Sequence, residues 1–108
     1  MDMNQYQNKS IKTAVYPEKY KIMYPALGLA GEAGEVANKV KKVFRDGTQS
    51  MPKEWKENIA SEIGDVMWYC AALAADLGFD LDSIASENLE KLASRMNLDK
   101  IKGSGDKR

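Results

Sequence analysis

The chain has 108 residues, 44% of them apolar and 30% charged, a balance that suits one globular domain with a modest core. Its 16 basic and 16 acidic residues cancel, which argues against a broad surface for a nucleic-acid polymer, and the absence of histidine excludes Ser-His-Asp, Cys-His and imidazole–zinc chemistry. The one cysteine, Cys70, can form no internal disulfide, no apolar run approaches the roughly 20 residues that span a bilayer, and MDMNQYQNKS carries no signal pattern, so a cytoplasmic protein that does not enter membranes is expected.

Helix breakers divide the chain into four helices and leave no alternation long enough for a strand. Asp2 or Asn4 caps the first, which runs to about Tyr16 and stops at Pro17. The second runs from about Tyr20 or Pro25 to Phe44, and Asp46-Gly47 ends it. Ser50 and Pro52 open the third, which continues to Leu77 with Gly78 as its stop. Asp80 caps the fourth, ending near Met96. A single helical domain over residues 1–98 is expected, with residues 99–108, including Gly103-Ser104-Gly105, as a frayed tail.

At ~100° per residue, Leu29, Ala33, Val36, Val40, Val43 and Phe44 fall on one face of the second helix. Trp55, Ile59, Ile63, Val66, Cys70, Leu73 and Leu77 do the same on the third. Two long amphipathic helices with a short connection form an antiparallel hairpin, and the expected class is an all-α, compact four-helix bundle. Cys70 falls in the apolar arc and is expected in the core.

Four acids break this pattern. Glu32 and Glu35 are three apart on the second helix, and Glu62 and Asp65 are three apart on the third, so each pair shares a face. A single such pair usually lies on a solvated face. Two pairs on adjacent helices, each edging an apolar stripe, are costly when ionised and unpaired. A divalent cation would supply the missing charge, and carboxylate oxygen suits magnesium or manganese. Gly31 and Gly34 flank the first pair and Gly64 sits inside the second. A glycine inside a helix costs roughly 0.5–1 kcal/mol relative to alanine, which points to close approach by a neighbouring helix or a ligand. Lys39, four residues after Glu35, reads either as an ordinary helix ion pair or as a phosphate contact beside a metal.

The stretch Leu27-Gly-Leu-Ala-Gly-Glu-Ala-Gly-Glu-Val, followed by Glu62-Ile-Gly-Asp-Val-Met-Trp-Tyr, resembles the MazG-like branch of the all-α nucleoside triphosphate pyrophosphohydrolases, whose signature is E-x-x-E, a spacer, then E-x-x-D. Asn88-Leu-Glu-Lys91-Leu-Ala-Ser-Arg95 resembles the third motif, N-x-x-K-L-x-x-R, although Met96-Asn97 stands where the family has tyrosine-proline. The resemblance implies that Glu32, Glu35, Glu62 and Asp65 hold magnesium and serve catalysis. It implies cleavage of a nucleoside triphosphate between the α and β phosphorus atoms, to monophosphate and pyrophosphate, in nucleotide-pool house-cleaning. It also implies that Asn88, Lys91 and Arg95 meet phosphate or sugar, although such a row alone reads as a polar outer face. Among the aromatic residues, Trp68 is the best candidate to stack on a base, because it lies off the main apolar arc and three residues after Asp65. A dUTP- or dCTP-type pyrophosphatase, a phosphoribosyl-ATP pyrophosphohydrolase and a non-enzymatic helical interaction module are the alternatives.

Four helices in a chain this short cannot easily cover both long stripes. Burial of such area contributes about 25 cal/mol per Å², so pairing of protomers is expected. The resemblance implies a homodimer or a tetramer built from dimers, with pockets near the subunit boundary, and the Lys91 and Arg95 end of the fourth helix is the candidate to cross to the partner's site.

Overall fold

The computed structural model describes residues 1–45 and 53–97. Among them four helices occur in chain order and no strand: α1 (Met3–Ile11), α2 (Met23–Arg45), α3 (Lys53–Asp76) and α4 (Leu81–Asn97). The expected stops at Asp46-Gly47, the openers Ser50 and Pro52 and the tail at residues 99–108 lie outside the described residues. No helix among the described residues is long and apolar enough to cross a membrane.

The caps follow from local chemistry. Asp2 and Gln5 form a reciprocal capping box on α1, with both bonds at 2.8 Å. Gly78, at φ +84°, ends α3. Its N–H donates to Ala75 O at 3.0 Å and that of Phe79 to Ala74 O at 2.9 Å, the paired bonds of a Schellman turn. Asp80 accepts the Ser83 N–H at 3.1 Å and its hydroxyl at 2.8 Å at the head of α4. These bonds hold the Asp80 carboxyl below its ordinary pKa.

One boundary differs from expectation. The first helix ends at Ile11 rather than near Tyr16, and Glu18–Tyr20 forms a separate 3-10 turn. The cause is tertiary. Asp76, the last residue of α3, accepts from the Tyr16 hydroxyl at 2.8 Å and from the Ile22 N–H at 2.9 Å. Ile22 has φ +68°, a left-handed conformation that costs a residue with a side chain about 1–2 kcal/mol. The Asp76 carboxylate holds that turn, and α2 starts from it. Burial first, and then the bond to Asp76, push the Tyr16 hydroxyl up to about 12. A phenol whose folded pKa lies above its unfolded value contributes stability that is complete below pH ~10 and is lost as pH rises through the folded pKa. In a tyrosinate absorbance titration Tyr16 should ionise near pH 12, and burial raises Tyr69 as well. Asp76→Asn should move the Tyr16 step down and Tyr16→Phe should delete it.

α2 and α3 form the expected hairpin, and α1 lies on α3 and on α4. The densest packing is at the far end of α3. Ala71 and Ala74 are buried with Leu81, and Tyr6 of α1 packs against them. Several stripe residues depart from expectation, among them Phe44 on α2, 75% exposed, and Ile63 on α3, 50% exposed. Cys70 is exposed, at the rim of a groove it shares with Met3, Met67 and Leu81. Leu77 is 50% exposed. Because α1, with Leu81 at the head of α4, packs on the alanines of α3, the larger residues beside them stay open. Val36, Val40, Ile59, Val66 and Leu73 are half-buried in the hairpin.

Candidate functional site

Near the middle of the hairpin, one oxygen from each of Glu32, Glu62 and Asp65 lies within 4.8 Å of the others. Glu32 and Glu62 are half-buried and Asp65 is exposed. The spacing of three on α3 aims Glu62 and Asp65 at one point, and the antiparallel partner helix brings Glu32 to it. Burial, then a hydrogen bond shared with Glu62, then the charges of Asp65, Glu62 and Glu35, raise the Glu32 carboxyl above its ordinary pKa. Like charges this close resist joint ionisation, and a proton or a cation relieves them. Oxygen ligands of an octahedral magnesium sit about 3–4 Å apart, so this donor set fits a hard cation after a small closure. Glu35 is exposed and is not among the three, although its charge reaches Glu32.

Lys39 does not read as a partner of Glu35 alone. Its ammonium lies 3.4 Å from Glu62 Oε1, across the hairpin and beside the acids. Trp55 Nε1 donates to the Lys39 carbonyl at 3.0 Å and ties the two helices one turn further along.

Next to the carboxylates is a cavity of about 350 Å³ lined by Thr13, Glu32, Asp65, Trp68 and Tyr69. Trp68, the expected stacking candidate, lines this cavity together with Glu32 and Asp65. The aromatic residues form a chain. Tyr16 stacks on Tyr24 at 4.7 Å, Tyr24 meets Tyr69 at 6.3 Å, and Trp68 meets Tyr69 edge-on at 5.0 Å and 87°. The Tyr69 ring lies flat on the α2 backbone at Gly28, where an added Cβ would fall 2.1 Å from its Cε1.

Among the described residues, the expectation of close approach at the other helical glycines is not met. An added Cβ at Gly31, Gly34 or Gly64 would meet nothing within 4 Å. Gly28 and Thr13 are the site residues that sequence reasoning passed over, while Tyr69 is one of the aromatic candidates ranked behind Trp68. Gly28 stands in the quoted Leu27-Gly-Leu stretch, while nothing around Thr13 marks it.

Asn88 and Lys91 do not line this cavity. They border a separate groove of about 290 Å³ on α4 with Ile84 and Glu87, and Arg95, one turn beyond, is half-buried. One protomer therefore brings together Glu32, Glu62, Asp65, Lys39 and Trp68, and leaves Asn88 and Lys91 in a groove of their own.

Residues 24–98 match the family described as the MazG nucleotide pyrophosphohydrolase domain. The Gene 37 protein of Mycobacterium phage L5 is 42% identical to the chain over 114 residues, covering 100% of each. No solved structure matches the chain. With the match spanning more than half of the residues and the carboxylates of its α2–α3 hairpin converging on one point, the chain belongs to the MazG nucleotide pyrophosphohydrolase family.

Proposed function

We propose that the protein is a magnesium-dependent nucleoside triphosphate pyrophosphohydrolase that releases a nucleoside monophosphate and pyrophosphate. The observation that carries this reading is the convergence of Glu32, Glu62 and Asp65 beside a cavity of ligand size. Glu32, Glu35, Glu62 and Asp65 are the residues that would hold the cation, with manganese as a substitute. A bound divalent ion would neutralise phosphate charge and polarise a water for in-line attack. Lys39, already at the edge of the acids, would turn its ammonium to a phosphate oxygen as a point charge. Trp68 would stack on the base, and a carboxylate not engaged by metal would accept the water's proton.

Assembly belongs to the same reading. Leu89 on α4 and Phe44 on α2 are 67% and 75% exposed, and Ile63 and Met67 are open on α3. Large apolar surface of this kind favours a homodimer or a dimer of dimers. Pairing would also give Asn88, Lys91 and Arg95 a route to a partner's cavity, where they would meet phosphate or sugar.

The test is a panel of ribo- and deoxyribonucleoside triphosphates with magnesium, scored for pyrophosphate. Pyrophosphate plus monophosphate is expected, with little turnover of diphosphates. Orthophosphate plus diphosphate would reject the reading. Mixing inactive Glu62→Gln with inactive Arg95→Ala should restore some activity as subunits exchange. Light scattering should give at least twice the chain mass at micromolar concentration.

A further inference from the structure

Thr13 lies before residue 24, where the family match begins, yet it lines the same cavity as Glu32 and Asp65. Its place is fixed from both sides. Upstream, buried Gln7 donates to Ala71 O at 3.2 Å and Phe79 O at 3.1 Å and accepts from the Leu81 N–H at 3.2 Å. Asn4 accepts from the Asp82 N–H at 3.0 Å. Downstream, Tyr16 and Ile22 are tied to Asp76. Between these anchors the Thr13 N–H and hydroxyl both donate to Ser10 O, at 2.9 and 2.7 Å.

With the hydroxyl proton directed there, the Thr13 oxygen is left as an acceptor, and the Trp68 indole N–H donates to it at 2.7 Å. An indole nitrogen is a donor only, so the polarity of this bond is not in question. Tyr69 meets the same indole edge-on. The ring is therefore held at two points, beside the cavity that it lines.

We infer that Thr13 is a positioning residue for nucleobase recognition: it holds Trp68 in the orientation that stacks on the base, so the N-terminal segment takes part in choosing the substrate. This rests on the proposed nucleoside triphosphate activity. The effect belongs to the base-bearing end of the substrate and not to its phosphates.

Thr13→Val keeps the shape and removes the acceptor. With magnesium and the full chain, its KM for a nucleoside triphosphate should rise about tenfold, the scale of a weakened base–aromatic stack, with kcat changed by less than about twofold. The inhibition constant of inorganic tripolyphosphate, which has no base, should not move. Thr13→Ser should restore the wild-type KM, and Thr13→Ala should repeat the valine result with less bulk. In a Trp55→Phe background Trp68 is the remaining indole of the two. There Thr13→Val should shift its emission and weaken quenching by a non-hydrolysable α,β-methylene triphosphate. An unchanged KM, an equal rise in the tripolyphosphate constant, or no recovery with serine would overturn the inference while leaving the activity standing. A wild-type protein that cleaves no nucleoside triphosphate would overturn both.

Discussion

Glu62→Gln and Glu32→Gln should each lose at least about a hundredfold in magnesium-dependent turnover, with the far-UV circular dichroism of the helices retained. Outer-shell partners of a metal ligand are typically worth about 10–100-fold, and loss of a ligand costs no less. The two variants also separate metal binding from folding. In the metal-free protein Glu32 has a raised pKa, so its ionisation weakens the fold as pH rises from the ordinary glutamate range through the folded value. Glu32→Gln removes that repulsion and should raise the metal-free melting temperature at neutral pH. Wild-type protein should gain about 1.4 kcal/mol from magnesium at tenfold excess over Kd, or roughly 5 °C, and Glu32→Gln should not. A magnesium-induced shift that survives in both variants would remove the carboxylates from the metal site.

Gly28→Ala should be the most damaging conservative change outside the acids. The new methyl would fall on the Tyr69 ring, which cannot retreat freely because Tyr24 and Trp68 bracket it. Overpacking of this kind costs about 1–3 kcal/mol. Activity should fall with stability, since the displaced ring lines the cavity beside Glu32 and Asp65. Tyr69→Leu in the Gly28→Ala background should recover part of the stability, a coupling that a double-mutant cycle reads directly. Equal melting temperatures for wild type and Gly28→Ala would mean that the ring does not rest on α2.

Much of the architecture is written in local chemistry. The Asp2 cap, the Gly78 stop and the Asp80 cap act within a few residues of themselves, and the structure has each of them. The meeting of Glu32 with Glu62 and Asp65 needs only helix geometry and an antiparallel neighbour, whereas Glu35, three residues after Glu32, stays exposed outside that group. What was hidden depends on residues far apart in the chain. The first helix stops at Ile11 because Asp76 engages Tyr16 and Ile22, a cause some 60 residues away that no local breaker announces. Cys70 and Leu77 sit in a helical apolar arc yet stay open, because α1, with Leu81 at the head of α4, packs on Ala71 and Ala74 instead. Gly28 is read as one small residue among several until the position of Tyr69 gives it a reason that Gly31, Gly34 and Gly64 do not share.

The bonds that seat the N-terminal segment set an order of assembly. Those from Asn4, Gln7, Thr13, Tyr16 and Ile22 to α3 and the start of α4 span 54 to 78 residues. The α2–α3 hairpin closes over far shorter distances, and contacts near in sequence form before those that must first close a long loop. On the ribosome, residues 1–22 emerge well before their docking partners, which run from Trp68 to Asp82. One wall of the cavity is therefore added last, onto a hairpin that already carries the carboxylates. Pulse-labelling hydrogen exchange during refolding should protect the α2–α3 amides before those of α1.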